Sequence, residues 1–206
     1  MEYIPALYLP CEDGGTKIVI YFHGNAEDIG LAFDLLYMFG ENMKMHVLAV
    51  EYPGYGLYKR GKPDEQKMKE DADTIYDYLT TICGVKDQDM ILFGRSMGSG
   101  PTSYLASRKY CHSLLLMSPY MSIKDATKSL FGWAGSMVSL LVYERFRNID
   151  SIKQAKCPCF FLHGMVDTLI PYEHSVELNN VCPNISQLHL VPNMDHNEFR
   201  FLEDLV

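Results

Sequence analysis

Residues 90–100 read Met90-Ile-Leu-Phe-Gly94-Arg95-Ser96-Met97-Gly98-Ser-Gly100, and this stretch decides the architecture. Met90–Phe93 is a short apolar run of the kind that forms a strand buried on both faces. A helical pattern, Ser99 to Lys109, follows at once. Between them lies G-x-S-x-G in a strand–turn–helix setting. A turn this sharp holds the serine in strained backbone geometry and lifts its Oγ above the sheet. Residues two before and two after the serine must be small, because a Cβ there would strike backbone. Glycine at 94 and 98 meets that demand. The helix that follows aims its N-terminal amides at the same spot, favouring developing negative charge. A glycine-rich turn with an incidental serine would present the same five residues, so the rest of the chain must supply what a nucleophile needs.

Working outward, five more apolar runs are bounded by turn signals: Lys17–Phe22, Met45–Tyr52, Ser113–Met117, Cys159–Leu162 and Gln187–Val191. Helical patterns lie between them. Asp64 to Cys83 spaces Met68, Ala72, Ile75, Leu79 and Ile82 by fours and threes, with Asp64 to cap it and Gly84 to stop it. A weaker pattern covers Glu27 to Asn42, and Pro171 suits the first turn of a helix through Val181. Strand and helix alternate from residue 17 onward, which predicts the α/β class: a mostly parallel, doubly wound sheet with helices on both faces. The 206 residues suit a single domain, 1–206. Pro119 to Ala155 breaks the rhythm, reading as polar turns around an apolar helix, Leu130–Tyr143, with no strand. Insertions in such folds sit where the strands end, so 119–155 is a candidate lid. The ends look abrupt: an early strand is expected to be missing and the last helix to stop soon after it starts at Asn197, as in a trimmed chain or a divergent gene model.

A serine hydroxyl needs a base and a carboxylate that orients it. In this type of fold they follow in the order Ser, Asp or Glu, His. Asp167 lies in His163-Gly-Met-Val-Asp167, just past the Cys159–Leu162 strand. His196 lies in Asn193-Met-Asp-His196-Asn197, just past the Gln187–Val191 strand. The expected triad is therefore Ser96, Asp167 and His196. Asp195 adjoins the histidine and reads as a solvated loop residue. His23 and His163 read as local turn-holders, while His46, His112, His174 and His189 lack suitable loop context. Oxyanion donors are expected from the backbone N–H of Met97 and of Asn25, with Ala26 as the runner-up. No metal or other cofactor is implied, since the Gly-rich segments match neither a P-loop nor a dinucleotide fingerprint.

Apolar residues make up 48% of the chain and charged ones 21%, as in a globular domain, and the net charge of −8 argues against nucleic acid as a partner. Cys11, Cys83, Cys111, Cys157, Cys159 and Cys182 form no CxxC pair and read as reduced core thiols of a cytoplasmic protein, with Cys11 alone in an exposed turn. The first residues lack a signal-peptide pattern, and no apolar stretch approaches the ~20 residues that span a bilayer. Any membrane contact is expected at the surface. Oligomeric state is not legible.

His23-Gly-Asn-Ala-Glu, Glu51-Tyr-Pro-Gly-Tyr-Gly, Gly94-Arg-Ser-Met-Gly-Ser-Gly-Pro and Ser118-Pro are followed by Ile149-Asp-Ser-Ile, Cys157-Pro, His163-Gly-Met-Val-Asp and Asp195-His-Asn-Glu. In that order they resemble the α/β-hydrolase-domain serine hydrolases of the palmitoyl-protein thioesterase (depalmitoylase) group. The resemblance implies the α/β-hydrolase fold, a triad at Ser96, Asp167 and His196, and hydrolysis of acyl thioesters or esters through an acyl-enzyme. It implies an acylated protein or a small acyl ester as substrate. The family's acylated, Cys-rich N-terminal segment has no match in these first residues, so its membrane targeting is not carried over. Phe131, Trp133, Met137, Leu140 and Leu141 of the candidate lid offer apolar surface for a fatty chain, or simply the buried face of an amphipathic helix. The competing readings are a carboxylesterase, a lysophospholipase or monoacylglycerol-type lipase, a peptidase, and a catalytically inactive interaction scaffold.

Overall fold

A computed structural model describes residues 3–130 and 144–198. Its sheet contains β1 (Ala6–Leu9), β2 (Ile18–Phe22), β3 (His46–Val50), β4 (Met90–Arg95), β5 (Ser113–Met117), β6 (Cys159–Gly164) and β7 (Ser186–Val191). The spatial order is β1-β3-β2-β4-β5-β6-β7, with β1 antiparallel to β3 and every other pair parallel. Between the strands run α1 (Phe33–Met43), α2 (Glu65–Thr81), α3 (Ser99–Arg108), α4 (Ile123–Leu130), α5 (Asn148–Ile152) and α6 (Glu173–Val181). This is the mostly parallel α/β sheet with helices on both faces predicted from the alternating runs.

Strand β2 shows why those runs are continuous rather than alternating. Ile18, Ile20 and Phe22 face a core built with Met68, Ala72, Ile75 and Leu79 of α2, Leu105 and Ala106 of α3, Ile152 of α5 and Leu178 of α6. Val19 and Tyr21 face the opposite core, with Leu36 and Phe39 of α1. Both faces of the strand are covered, so no position can be polar. At about 1.5–3 kcal/mol for each large side chain buried, these two layers dominate the stability.

Helix α2 follows its sequence signals. The Asp64 carboxylate accepts the Lys67 N–H at 3.0 Å, and the chain leaves the helix through Gly84 at φ +70°. Helix α1 departs from expectation, beginning at Phe33 rather than Glu27. Asp28 spends its Oδ1 on the N–H groups of Gly30 (2.9 Å) and Leu31 (2.8 Å), which locks a turn where the periodicity suggested helix. β1 is a further departure, since the apolar runs read as strands begin only at Lys17. Ala6–Leu9 lies between Pro5 and Pro10 and pairs along one edge only. Within the candidate lid, residues expected to be turns form α4, capped by Ser122, whose Oγ accepts the Asp125 N–H at 3.1 Å. The remainder of the predicted Leu130–Tyr143 helix, with Phe131, Trp133, Met137, Leu140 and Leu141, lies outside the described residues.

Cys11 is buried rather than exposed, while Cys83 is exposed, and all six thiols are free. No helix among the described residues is long and apolar enough to cross a membrane.

Candidate active site

Because β2 sits between β3 and β4, the direction of winding reverses there, and the loops leaving β2 and β4 diverge from a shared crevice at their carboxyl ends. β4 runs through Arg95 into a single 3-10 turn, Ser96–Gly98, and then into α3. Ser96 adopts φ +50°, a left-handed conformation that costs a residue with a Cβ about 1–2 kcal/mol. The glycines explain how the turn is held. A Cβ on Gly98 would lie 2.0 Å from the Phe22 carbonyl oxygen, and one on Gly94 would lie 2.6 Å from the Gly98 carbonyl oxygen. Beneath the turn, the buried Asn148 amide donates to Ser99 Oγ (2.9 Å) and to the Tyr120 carbonyl (3.0 Å), and Ser99 Oγ donates to the Ser96 carbonyl (2.7 Å).

The loops after β6 and β7 bring the other two predicted residues to the serine. A Cβ on Gly164 would lie 1.9 Å from the Met194 carbonyl oxygen, so these two loops pack together only with glycine at that position. Ser96 Oγ stands 2.9 Å from His196 Nε2, and His196 Nδ1 stands 2.7 Å from Asp167 Oδ2. All three side chains are buried. The second carboxylate oxygen, Asp167 Oδ1, accepts the backbone N–H groups of Leu169 (2.9 Å) and Ile170 (2.8 Å). Burial pushes the Asp167 carboxyl up. Hydrogen bonds from His163, His196 and the Ile170 N–H outweigh it, and the acid lies below the ordinary carboxylate range. An ionised Asp167 requires a hydrogen on His196 Nδ1, leaving Nε2 as an acceptor for the Ser96 hydroxyl. This arrangement can take a proton from the serine as its oxygen attacks.

His163 is more than a turn-holder. Its Nε2 faces the Ile170 carbonyl at 2.8 Å and Asp167 Oδ2 at 3.2 Å, and its Nδ1 faces Ser175 Oγ at 2.6 Å. Asp195 is half-buried and does more than face solvent: its Oδ1 accepts the N–H of His196 (2.7 Å) and of Thr168 (3.2 Å), tying the His196 loop to the Asp167 loop.

The His23-Gly24-Asn25-Ala26 loop lies beside Ser96, where a Cβ on Gly24 would be 3.7 Å from Ser96 Cβ. Asn25 is held by the Tyr55 hydroxyl, which donates to its Oδ1 at 2.6 Å, and Ala26 takes φ +57°. Under this loop is a feature that motif reading misses. His23 Nε2 meets Glu51 Oε1 at 2.8 Å with both side chains fully buried, and the Tyr52 hydroxyl donates to the His23 carbonyl at 2.8 Å. Glu51 also accepts the Tyr52 N–H at 3.2 Å, and its Oε2 would lie 2.1 Å from a Cβ on Gly56. The Glu51-Tyr-Pro-Gly-Tyr-Gly56 motif is therefore the floor of the His23 loop. Removing the carboxylate leaves the buried His23 ring and the Tyr52 N–H without their acceptor, which costs about 1–3 kcal/mol. Glu51→Ala is expected to lower stability by that amount in urea denaturation, and a loss under about 1 kcal/mol would show that the pair does not hold the loop.

Among the described residues, no group of three or more His, Cys, Asp or Glu side chains is arranged to hold a metal ion.

A family model described as serine aminopeptidase, S33, matches residues 15–151, well over half of the sequence. The chain belongs to the serine aminopeptidase S33 family. The matched span includes the Asn25 loop and Ser96 and ends before Asp167 and His196. This S33 member is 28% identical over 197 residues to alpha/beta hydrolase domain-containing protein 17C of Homo sapiens, covering 93% of this chain and 56% of that one. It is 31% identical over 180 residues to alpha/beta hydrolase domain-containing protein aho-3 of Caenorhabditis elegans, covering 87% and 52%. The chain thus spans little more than half the length of these curated relatives. Among solved structures it is similar to a monoacylglycerol lipase of Paleococcus ferrophilus, with TM-score 0.72 and 19% identity over 99% of this chain and 93% of that one. It is also similar to Est1E of Butyrivibrio proteoclasticus, solved with ferulic acid bound, with TM-score 0.70 and 20% identity over 94% and 87%. These structural likenesses establish the α/β-hydrolase fold of this hydrolase.

Proposed function

We propose that this chain is a serine acyl hydrolase with Ser96 as nucleophile, His196 as base and Asp167 as the orienting carboxylate, acting on acyl thioesters or esters in the manner of a palmitoyl-protein thioesterase. The unbroken hydrogen-bond chain from Ser96 Oγ through His196 to Asp167 carries the reading. Ser96 Oγ attacks the acyl carbonyl carbon while His196 Nε2 takes its proton. The backbone N–H groups of Met97 and Asn25 stabilise the resulting oxyanion. The intermediate collapses, the carbon–sulfur or carbon–oxygen bond breaks, and His196 returns the proton to the departing thiolate or alkoxide. Water, deprotonated by the same histidine, then attacks the acyl-enzyme, releasing the acid and restoring Ser96.

Support for a long-chain acyl thioester comes from the motifs shared with the depalmitoylase group and from the similarity to protein 17C across nearly all of this chain. The proposed setting is the cytoplasm, at or near a membrane surface where acylated proteins present their thioesters. A second reading, an ester lipase, is favoured by the likeness to the monoacylglycerol lipase.

The test is labelling by a fluorophosphonate probe in competition with four substrates: a palmitoyl-peptide thioester, a monoacylglycerol, a short p-nitrophenyl ester and an aminoacyl anilide. The palmitoyl thioester is expected to protect best. Best protection by the monoacylglycerol or the anilide would move the assignment to lipase or aminopeptidase. Absence of labelling at a concentration that saturates related hydrolases would leave an inactive scaffold.

A further inference from the structure

Arg95 occupies a position of the Gly94-Arg95-Ser96-Met97-Gly98 turn to which motif reading assigns no role. It is the last residue of β4, adjacent to the nucleophile, and it is only 7% exposed. Its guanidinium runs beneath the site. Nη1 donates to Glu27 Oε2 at 3.1 Å, and Nη2 donates to the His196 carbonyl at 2.9 Å and to Asn197 Oδ1 at 3.0 Å. Glu27 Oε2 also accepts the Gly24 N–H at 2.9 Å. One side chain therefore bonds to both the loop after β2 and the loop after β7 while its own backbone leads into Ser96.

The neighbouring residues leave room for this arrangement. A Cβ on Gly24 would lie 2.9 Å from Arg95 Nη1 and 3.2 Å from Glu27 Oε2, so the guanidinium and carboxylate pass where any larger residue would stand. A charge is expensive to bury unless it is paired and hydrogen-bonded, and here a carboxylate, a carbonyl and an amide oxygen meet that requirement. The two bonding directions suit a rigid planar fork. A lysine ammonium is a single point on a flexible stem and cannot hold both loops in the same way.

We infer that Arg95 is a positioning residue of this site, setting the separation between the Asn25 loop and the His196 loop across Ser96; the inference rests on the acyl-hydrolase reading above. Arg95 touches none of the reacting atoms. Its loss lets the oxyanion donor and the base drift relative to the nucleophile, and a misplacement of about 1 Å costs on the order of 10²-fold in rate. Substrate binding by the acyl chain is left as it was.

The experiment compares the parent, Arg95→Lys, Glu27→Gln and the double variant in hydrolysis of a p-nitrophenyl acyl ester and in the rate of fluorophosphonate labelling. Arg95→Lys is expected to lower kcat by roughly 10–100-fold with KM within about threefold, and to slow labelling by the same factor as kcat. Glu27→Gln keeps an oxygen for the Gly24 N–H and is expected to lower kcat less. The double variant should lose less than the product of the two single losses, because both act through one contact. A readout independent of turnover is the downfield resonance of the His196 Nδ1–H, assigned by its disappearance in His196→Gln. Arg95→Lys should shift it, while the urea midpoint of a folded variant stays close to the parent's. Parental kcat, a raised KM at unchanged kcat, or an unmoved resonance in Arg95→Lys would overturn the assignment. Failure of the parent to be labelled would instead remove the hydrolase reading, and the resonance shift would still report whether Arg95 positions His196.

Discussion

Ser96→Ala is expected to reduce acyl-ester turnover by roughly 10⁵–10⁶-fold and to abolish fluorophosphonate labelling, with the fold intact. The size follows from what remains. Removing Oγ leaves His196 and Asp167 in place but gives the acyl carbon nothing to bond to. The residual rate is then that of water in a site that still offers the Met97 and Asn25 amides. Stability separates this chemical loss from misfolding. Alanine keeps a Cβ at φ +50°, so Ser96→Ala retains the backbone strain of the turn. Glycine relieves it, and Ser96→Gly should unfold at higher urea than Ser96→Ala, by about 1 kcal/mol. Loss of activity in both variants, with stability ordered Gly above Ala, is the signature of a strained nucleophile. A decrease under tenfold in Ser96→Ala would take the nucleophile role away from this residue.

The strands are legible in the sequence wherever both faces are buried, because a run such as Ile18–Phe22 then admits no polar residue. The turn around Ser96 is legible because its two glycines answer to backbone contacts that any sequence folding this way must avoid. Strand β1 escapes notice for the opposite reason. It is four residues long, half-buried in alternation, and pairs on one side only, so its pattern is weak. The start of α1 is misplaced because periodicity counts Glu27 and Asp28 as helix formers. Their carboxylates instead serve Gly24, Gly30 and Leu31. Helix α4 carries a start signal of its own, Ser122 followed three residues later by Asp125, whose N–H the Ser122 hydroxyl accepts.

Around the candidate site, what motif reading misses is the set of side chains that act on other side chains. Glu51, Arg95 and His163 each stand in a recognisable motif, yet their side-chain partners lie 28, 68 and 12 positions away in sequence. Spacing along the chain carries no trace of such contacts. Burial of a charged residue is the clue, and burial becomes visible only once the fold has formed.

Asp167→Asn is expected to lower kcat about 10⁴-fold, through the tautomer of His196 rather than through any change of shape. The backbone decides which way the new amide faces. Asp167 Oδ1 accepts two N–H groups, from Leu169 and Ile170. Asparagine must keep its oxygen there, because turning its NH₂ toward them would set donors against donors. The NH₂ then faces His196 Nδ1, which must become an acceptor, and the ring hydrogen moves to Nε2. A protonated Nε2 opposite the Ser96 hydroxyl cannot receive its proton. His163 Nε2, also beside this position, keeps the Ile170 carbonyl as its acceptor, so the local fold survives. The pH dependence has a fixed sign. Because the folded-state acid lies below its ordinary value, its ionisation stabilises the fold above about pH 4, and this contribution is lost as the pH falls further. The stability gap between parent and Asp167→Asn in urea should therefore be full at pH 7 and shrink below about pH 4, since the amide does not titrate. A gap that widens on acidification, or a kcat within tenfold of the parent's, would mean that Asp167 does not hold His196 as an ionised acceptor.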